Sequence, residues 1–204
     1  MPQLDIFSGL DLSSSTNYKF DSIDELNSAC LGCKKCELHQ SRNSVVVGKG
    51  NSNKPLIMLI GEAPGKTEDE QGVPFIGPSG ALIREIIANF GIADEQIYFT
   101  NAVRCKPDNL KSNQINCCNL YLKAEIQIVK PQALILLGKV AYISLIESKQ
   151  NFSKIKDKIN YYLGIPYITV YHPAFLLRNP SLEVNSPKWQ TWIALAKFIN
   201  FIQQ

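Results

Sequence analysis

The sequence predicts an α/β fold: a three-layer α/β/α sandwich around a central, mainly parallel four-stranded sheet. Three observations lead there. Residues 56–60, 97–103, 133–137 and 165–170 are short, mostly apolar runs of strand length, as expected of strands covered on both faces. Stretches with apolar residues at helical spacing lie between them. Strands that alternate with helices need crossover connections, and these make neighbouring strands parallel.

Residues 1–22 read as a tail, because Ser8, Ser13, Ser14 and Ser15 crowd it with Gly9 and periodicity is weak. The domain therefore spans residues 23–204. Residues 23–36 predict a short helix carrying the first cysteines. The first strand, 56–60, stops at Gly61, and a loop runs to Gly80. Leu82, Ile83, Ile86, Ile87 and Phe90 then repeat at helical spacing, with Gly91 as the stop. Residues 97–103 form the second strand. Residues 115–129 form a helix closed by Pro131. The third strand, 133–137, ends at Gly138, and residues 140–146 are helical. The fourth strand, 165–170, runs straight into Tyr171-His172-Pro173. Residues 189–202 form a closing amphipathic helix.

The bulk properties exclude several classes. A chain of 204 residues fits one domain, and 45% hydrophobic residues supply a core. The net charge of +3 permits a polyanionic partner without demanding one. No run approaches the roughly 20 apolar residues of a membrane span, so no membrane partner is expected. The N-terminus lacks the basic and apolar regions of a secretory signal. A cytoplasmic, nucleoid-associated monomer is the expectation. Six cysteines in that compartment point to metal or redox chemistry rather than to disulfides.

Their placement is informative. Cys33-x-x-Cys36 near the N-terminus is followed far downstream by Cys105 and Cys118. Four thiolates complete a tetrahedral set that suits zinc and iron–sulfur equally. Cys30 also makes a C-x-x-C with Cys33, and Cys117 sits beside Cys118, so each is an alternative ligand. Parallel sheets place ligands at the C-terminal ends of their strands. The loops after Ile60, Val103 and Val170 all leave such ends. Glu62, Phe75, Asn101 and His172 can therefore converge on one cleft.

Taken in order, these pieces resemble the family 4 uracil-DNA glycosylases, the iron–sulfur branch of the uracil glycosylase superfamily. Cys33-Lys-Lys-Cys36-Glu-Leu38, Arg42 and Val47-Gly-Lys-Gly50 are similar to the family's N-terminal block. Gly61-Glu-Ala-Pro-Gly65, Glu68-Asp69, Gly72, Pro74-Phe75, Gly77 and Gly80 resemble its first active-site motif. Thr100-Asn101-Ala-Val-Arg-Cys105, Cys118-Asn-Leu-Tyr-Leu122 and His172-Pro-Ala-Phe-Leu-Leu-Arg178 resemble the later ones. The chain departs between residues 106 and 117, which are fewer than usual and lack the Asn-Arg-x-Pro signature. The resemblance implies uracil-containing DNA as substrate and a [4Fe–4S] cluster held by Cys33, Cys36, Cys105 and Cys118. It implies a uracil pocket made by Gly61, Glu62, Ala63, Phe75, Asn101 and His172. Leu176, Leu177 and Arg178 would meet the DNA.

The chemistry of these residues agrees with that assignment. Phe75 offers a stacking face. Asn101 presents an acceptor and a donor in one plane, which matches uracil N3–H and O4 and mismatches cytosine. His172 can donate to uracil O2 and steady the leaving anion. Leu176 and Leu177 can wedge into the stack, with Arg178 on a phosphate. Lys49, Lys54, Lys66, Arg84, Arg104 and Lys106 can add backbone contacts. Ala63 cannot act as a base, so Glu62, Glu68 and Asp69 are the carboxylates available to the attacking water. A binding module would need neither Asn101 nor His172. In the tail, Gln3-Leu4-Asp5-Ile6-Phe7 resembles the pentapeptide that binds the bacterial replication sliding clamp.

Overall fold

The computed structural model describes residues 20–148 and 150–204. The strands β1 (Lys49–Gly50), β2 (Ile57–Gly61), β3 (Ile97–Asn101), β4 (Ala133–Leu137), β5 (Ile159–Tyr162) and β6 (Ile165–Val170) form one sheet. Their order is β1-β3-β2-β4-β6-β5. The four strands expected from the sequence are the parallel centre, β3-β2-β4-β6. The expected count of four is corrected to six by two antiparallel edge strands.

Both edges lack the apolar run that marks a buried strand. β1 is two exposed residues, and β5 is exposed along most of its length. β5 is fixed to β6 by a hairpin in which Tyr162 pairs with Ile165 across Leu163 and Gly164. Both turn residues have positive φ, 49° and 79°. That is the geometry of a two-residue turn that follows the twist of the strands.

The helices are α1 (Ile23–Leu31), α2 (Lys66–Gln71), α3 (Pro78–Ala88), α4 (Ser112–Val129), α5 (Gly138–Ile146), α6 (Phe152–Ile155), α7 (Pro173–Arg178) and α8 (Pro187–Ile202). β2 shows how they form two outer layers. Its residues 57–61 are all buried, with alternate side chains entering different cores. Ile57 and Leu59 pack with Ile83 and Ile87 of α3 and with Leu195 and Phe198 of α8. Met58 and Ile60 pack with Leu122 and Ile126 of α4 and with Tyr142 and Leu145 of α5. Covering both faces removes the apolar–polar alternation of a half-exposed strand. A third core, built from Leu26, Cys30, Leu38, Val103, Cys105, Ile115, Cys118 and Tyr121, joins α1 and α4 beyond the end of β3.

The expected helix over residues 23–36 is shorter. Ser22 caps it by accepting the Glu25 N–H, and it ends at Leu31 with Gly32 behind it. It carries Cys30. Cys33 lies in the following loop, and Cys36 caps a 3-10 turn, Glu37–Gln40. The clamp-like pentapeptide at residues 3–7 lies outside the described residues.

Candidate active site

The ends of four strands and one loop meet at a single pocket lined by Gly61, Ala63, Glu68, Phe75, Ser79, Gly80, Asn101, Leu137, His172 and Pro173. The parallel register explains the convergence. Gly61 pairs with Asn101, so the ends of β2 and β3 are level. The ladder continues past the strands, with Ala102 N–H on the Gly61 carbonyl and Val103 N–H on that of Glu62, both at 2.9 Å. Leu137 ends β4, and His172 follows β6 by two residues.

Phe75 is buried in the loop between α2 and α3, with backbone φ of +59°. A bulky residue rarely adopts that conformation, and such strain collects at functional sites. Two contacts hold it, and a third ties its partners together. Arg84 Nε donates to the Phe75 carbonyl at 3.1 Å. The Phe75 ring packs on Phe99, centroids 5.6 Å apart, and the Arg84 guanidinium lies 3.7 Å from the Phe99 centroid. Gly80 gives the loop room, since a Cβ there would lie 2.3 Å from the Phe75 carbonyl carbon.

His172 caps α7. Its Nδ1 accepts the Ala174 N–H at 3.1 Å, so in the neutral ring the proton sits on Nε2. Burial, with a smaller push from Arg178, lowers its pKa to about 4. At neutral pH the pocket therefore holds an uncharged imidazole with one N–H to donate.

The three carboxylates have separate surroundings. Glu68 lines the pocket, but its oxygens accept the Gly65 N–H at 3.1 Å and the Gly77 N–H at 2.8 Å. It staples Gly65, at the start of α2, to Gly77, at the end of the loop that carries Phe75. Asp69 is absent from the pocket lining. It accepts the backbone N–H groups of Asn43 and Ser44 and the Asn43 side-chain amide. Glu62 stands between two lining residues, and burial alone raises its carboxyl pKa.

The tripeptide expected to meet DNA, Leu176-Leu177-Arg178, is split by the helix. Leu176 is fully buried in the core between α3, α8 and the sheet, which corrects its expected role as a wedge. Leu177 is 45% exposed, and Arg178 and Phe175 are also exposed. On a helix, adjacent residues point about 100° apart, so only one leucine of the pair can face outward. Arg104 is likewise corrected as a backbone contact, being 2% exposed and paired with Glu125.

A second chamber is lined by Cys30, Cys33, Cys36, Cys105, Cys117 and Cys118 together with Arg42, Arg104 and Tyr121. No disulfide forms among these thiols. Among the described residues, no three Cys, His, Asp or Glu groups close around one point as a single ion would require. The thiols instead wall a space. Burial pushes the pKa of Cys118 up to about 11 and that of Cys30 up to about 12. Cys36 and Cys105 are raised for the same reason, and the Arg42 guanidinium pulls Cys105 back. Arg42 donates to Cys105 Sγ at 3.2 Å and to the Cys33 carbonyl at 2.9 Å. Cys117 instead donates to the Lys35 carbonyl at 3.3 Å. Thiolates in such a place need a metal to offset their desolvation. The donor set fits an iron–sulfur group, whose ligands stand apart at its corners.

The sequence did not single out Ser79, Leu137 or Pro173. Leu137 was within reach, because it too ends a parallel strand. The buried Glu125 was also missed, although it falls on the apolar face of α4 beside Leu122 and Ile126.

Known proteins resemble this chain over most of its length. The residue pattern of the uracil DNA glycosylase superfamily matches residues 47–196. The chain is 32% identical over 174 residues to a type-4 uracil-DNA glycosylase of Archaeoglobus fulgidus, covering 80% of this chain and 87% of the relative. It is 35% identical over 157 residues to that of Thermotoga maritima, covering 74% and 81%. A third relative, from Sulfurisphaera tokodaii, is 34% identical over 175 residues, covering 80% and 79%.

Proposed function

Because the chain belongs to the uracil DNA glycosylase superfamily, on its type-4 branch, we infer that it hydrolyses the N-glycosidic bond of deoxyuridine in DNA. It is a DNA-repair enzyme that releases uracil and leaves an abasic site. The observation that carries the reading is the meeting of Phe75, Asn101 and His172 around one pocket.

The target nucleotide must leave the duplex, at a cost of a few kcal/mol. Leu177 fills the vacated stack, and Arg178 takes a neighbouring phosphate. In the pocket, uracil stacks on Phe75. The Asn101 carbonyl accepts from N3–H, and its amide donates to O4. Cytosine offers an acceptor at N3 and a donor at N4, so both bonds would fail. As the glycosidic bond lengthens, negative charge gathers on uracil. The Nε2–H of neutral His172 donates to O2 and stabilises that charge. Water completes the reaction at the sugar. Glu62 is our choice to hold it, since its half-buried carboxylate has a raised proton affinity and no ion-pair partner lowering it. Glu68 and Asp69 act by bracing the loops on either side.

Cys33, Cys36, Cys105 and Cys118 would hold a [4Fe–4S] cluster. When bound, it supplies a covalent brace between the N-terminal loop, the end of β3 and α4. Three residues separate the pocket from that brace in the order Asn101-Ala-Val-Arg-Cys105. The pentapeptide at residues 3–7 would tether the enzyme to the sliding clamp, and deleting residues 1–8 should then abolish clamp binding without touching excision. The enzyme works as a monomer.

The test is an end-labelled oligonucleotide with a single uracil, incubated with enzyme and then with alkali. Strand scission at uracil, with none at thymine or cytosine in its place, is the expected result. An intact uracil strand after incubation with iron-loaded enzyme overturns the reading.

A further inference from the structure

We propose that Arg104 is a positioning residue for the cluster: Glu125 clamps its guanidinium so that the N–H of Nε, the one guanidinium nitrogen without a protein partner, is offered to a cluster sulfur. The proposal rests on the cluster reading above and concerns how this chain holds that group.

The argument starts from donor counting. A guanidinium carries five N–H donors and no acceptor. Arg104 is almost wholly buried, so water cannot serve them. Nη1 donates to Thr100 Oγ1, and Nη2 donates to Glu125 Oε2 at 2.5 Å. Nε is buried and has no protein partner. Buried charged donors are rarely left unmatched, and such a gap points to a missing acceptor. Arg104 also lines the thiol chamber, and Cys105 is its neighbour in sequence. Thiolates and cluster sulfides are the acceptors that chamber would contain.

The surrounding network explains why the guanidinium cannot turn away. Glu125 accepts from Tyr98 Oη at 2.9 Å and from Thr100 Oγ1 at 2.8 Å, as well as from Arg104. Glu125 is itself inaccessible to solvent. Gly48 closes the far side, where a Cβ would meet Tyr98 Oη at 2.3 Å and Glu125 Oε1 at 2.4 Å. The carboxylate is thus pinned to β3, and the fork it grips has one orientation. Glu125 also stands on α4, seven residues beyond Cys118, so one helix supplies both a thiol and the clamp. Thr100, held by the same guanidinium, immediately precedes Asn101. Order at the cluster is thereby passed to the residue that reads uracil.

The experiment compares iron-loaded parent with Arg104→Lys, which keeps a charge for Glu125 but lacks the Nε–H. The readouts are the cluster midpoint potential, by redox titration in visible light, and the rate of bleaching by a chelator. Hydrogen bonds to cluster sulfurs raise the potential, so the variant should titrate lower and bleach ~10-fold faster. An unchanged potential overturns the proposal. If Arg104→Lys does not fold, the charge-balanced pair Arg104→Met/Glu125→Gln is read in the same way, with the same two outcomes. A parent protein that purifies with zinc instead of iron and sulfide removes the cluster reading and this proposal together. A parent with iron and an unshifted variant removes this proposal alone.

Discussion

Gly61 and Asn101 are register partners at the last rung of the β2–β3 ladder, and the asparagine occupies the space a side chain on Gly61 would fill. A Cβ on Gly61 would lie 2.2 Å from Asn101 Oδ1 and 3.0 Å from Phe75 Cζ. The glycine is needed for this approach and not for any turn, since its backbone is ordinary strand.

Gly61→Ala should therefore evict Asn101 from its place in the pocket while leaving the sheet intact. We expect kcat/KM on uracil-DNA to fall at least ~100-fold, about 2.7 kcal/mol of transition-state stabilisation. Circular dichroism should match the parent. Full activity in this variant would mean that Asn101 does not read the base.

The pH dependence follows from His172. Its folded pKa, about 4, lies below the unfolded value of 6.5 because burial disfavours the imidazolium. The folded state therefore binds fewer protons than the unfolded state between those values. Its contribution to stability is complete above pH 6.5, declines as pH falls toward 4, and is constant below. Within that window each pH unit costs at most about 1.4 kcal/mol from this group. Turnover should show no His172 inflection between pH 6 and 8. A step near pH 6.5 that disappears in His172→Gln would contradict the neutral donor.

Adjacent leucines should give opposite phenotypes. Leu176→Ala removes a fully buried side chain and should cost about 2–5 kcal/mol of stability. Leu177→Ala removes an exposed one and should leave the melting temperature unchanged. Its effect should appear as weaker excision from duplex than from single-stranded DNA, because only the duplex needs a wedge. Equal loss on both substrates would place Leu177 outside the stack.

Arg84 should matter through Phe75. Arg84→Met removes the donor on the Phe75 carbonyl and the cation over Phe99. A hydrogen bond from a charged donor is worth about 1.5 kcal/mol or more, so free uracil should inhibit the variant ~10-fold less well. Arg84→Lys should not restore it, because lysine cannot place an Nε–H there. Unaltered inhibition by uracil would show that the loop holds Phe75 without help.

Much of this protein was legible in its residues. The runs at 56–60, 97–103, 133–137 and 165–170 became the four central strands, because burial on both faces leaves a continuous apolar signature. Glycines and the residues beyond strand tips marked the pocket, because a parallel sheet gathers ligands at one edge. Phe75, Asn101 and His172 were found in this way. The edge strands were not, since two exposed residues and a hairpin arm carry no burial pattern.

What the chain alone determined was the identity of the groups: which residues can stack, pair, donate or ligate. Tertiary packing decided which of them are free to do so. It turned Leu176 inward and Leu177 outward, tied both oxygens of Glu68 to backbone amides, and took Arg104 from the surface into a clamp. The physical reason is that burial and hydrogen-bond partners belong to the folded neighbourhood of a side chain. Two residues of the same type in one motif acquire different work once one of them is needed by the core.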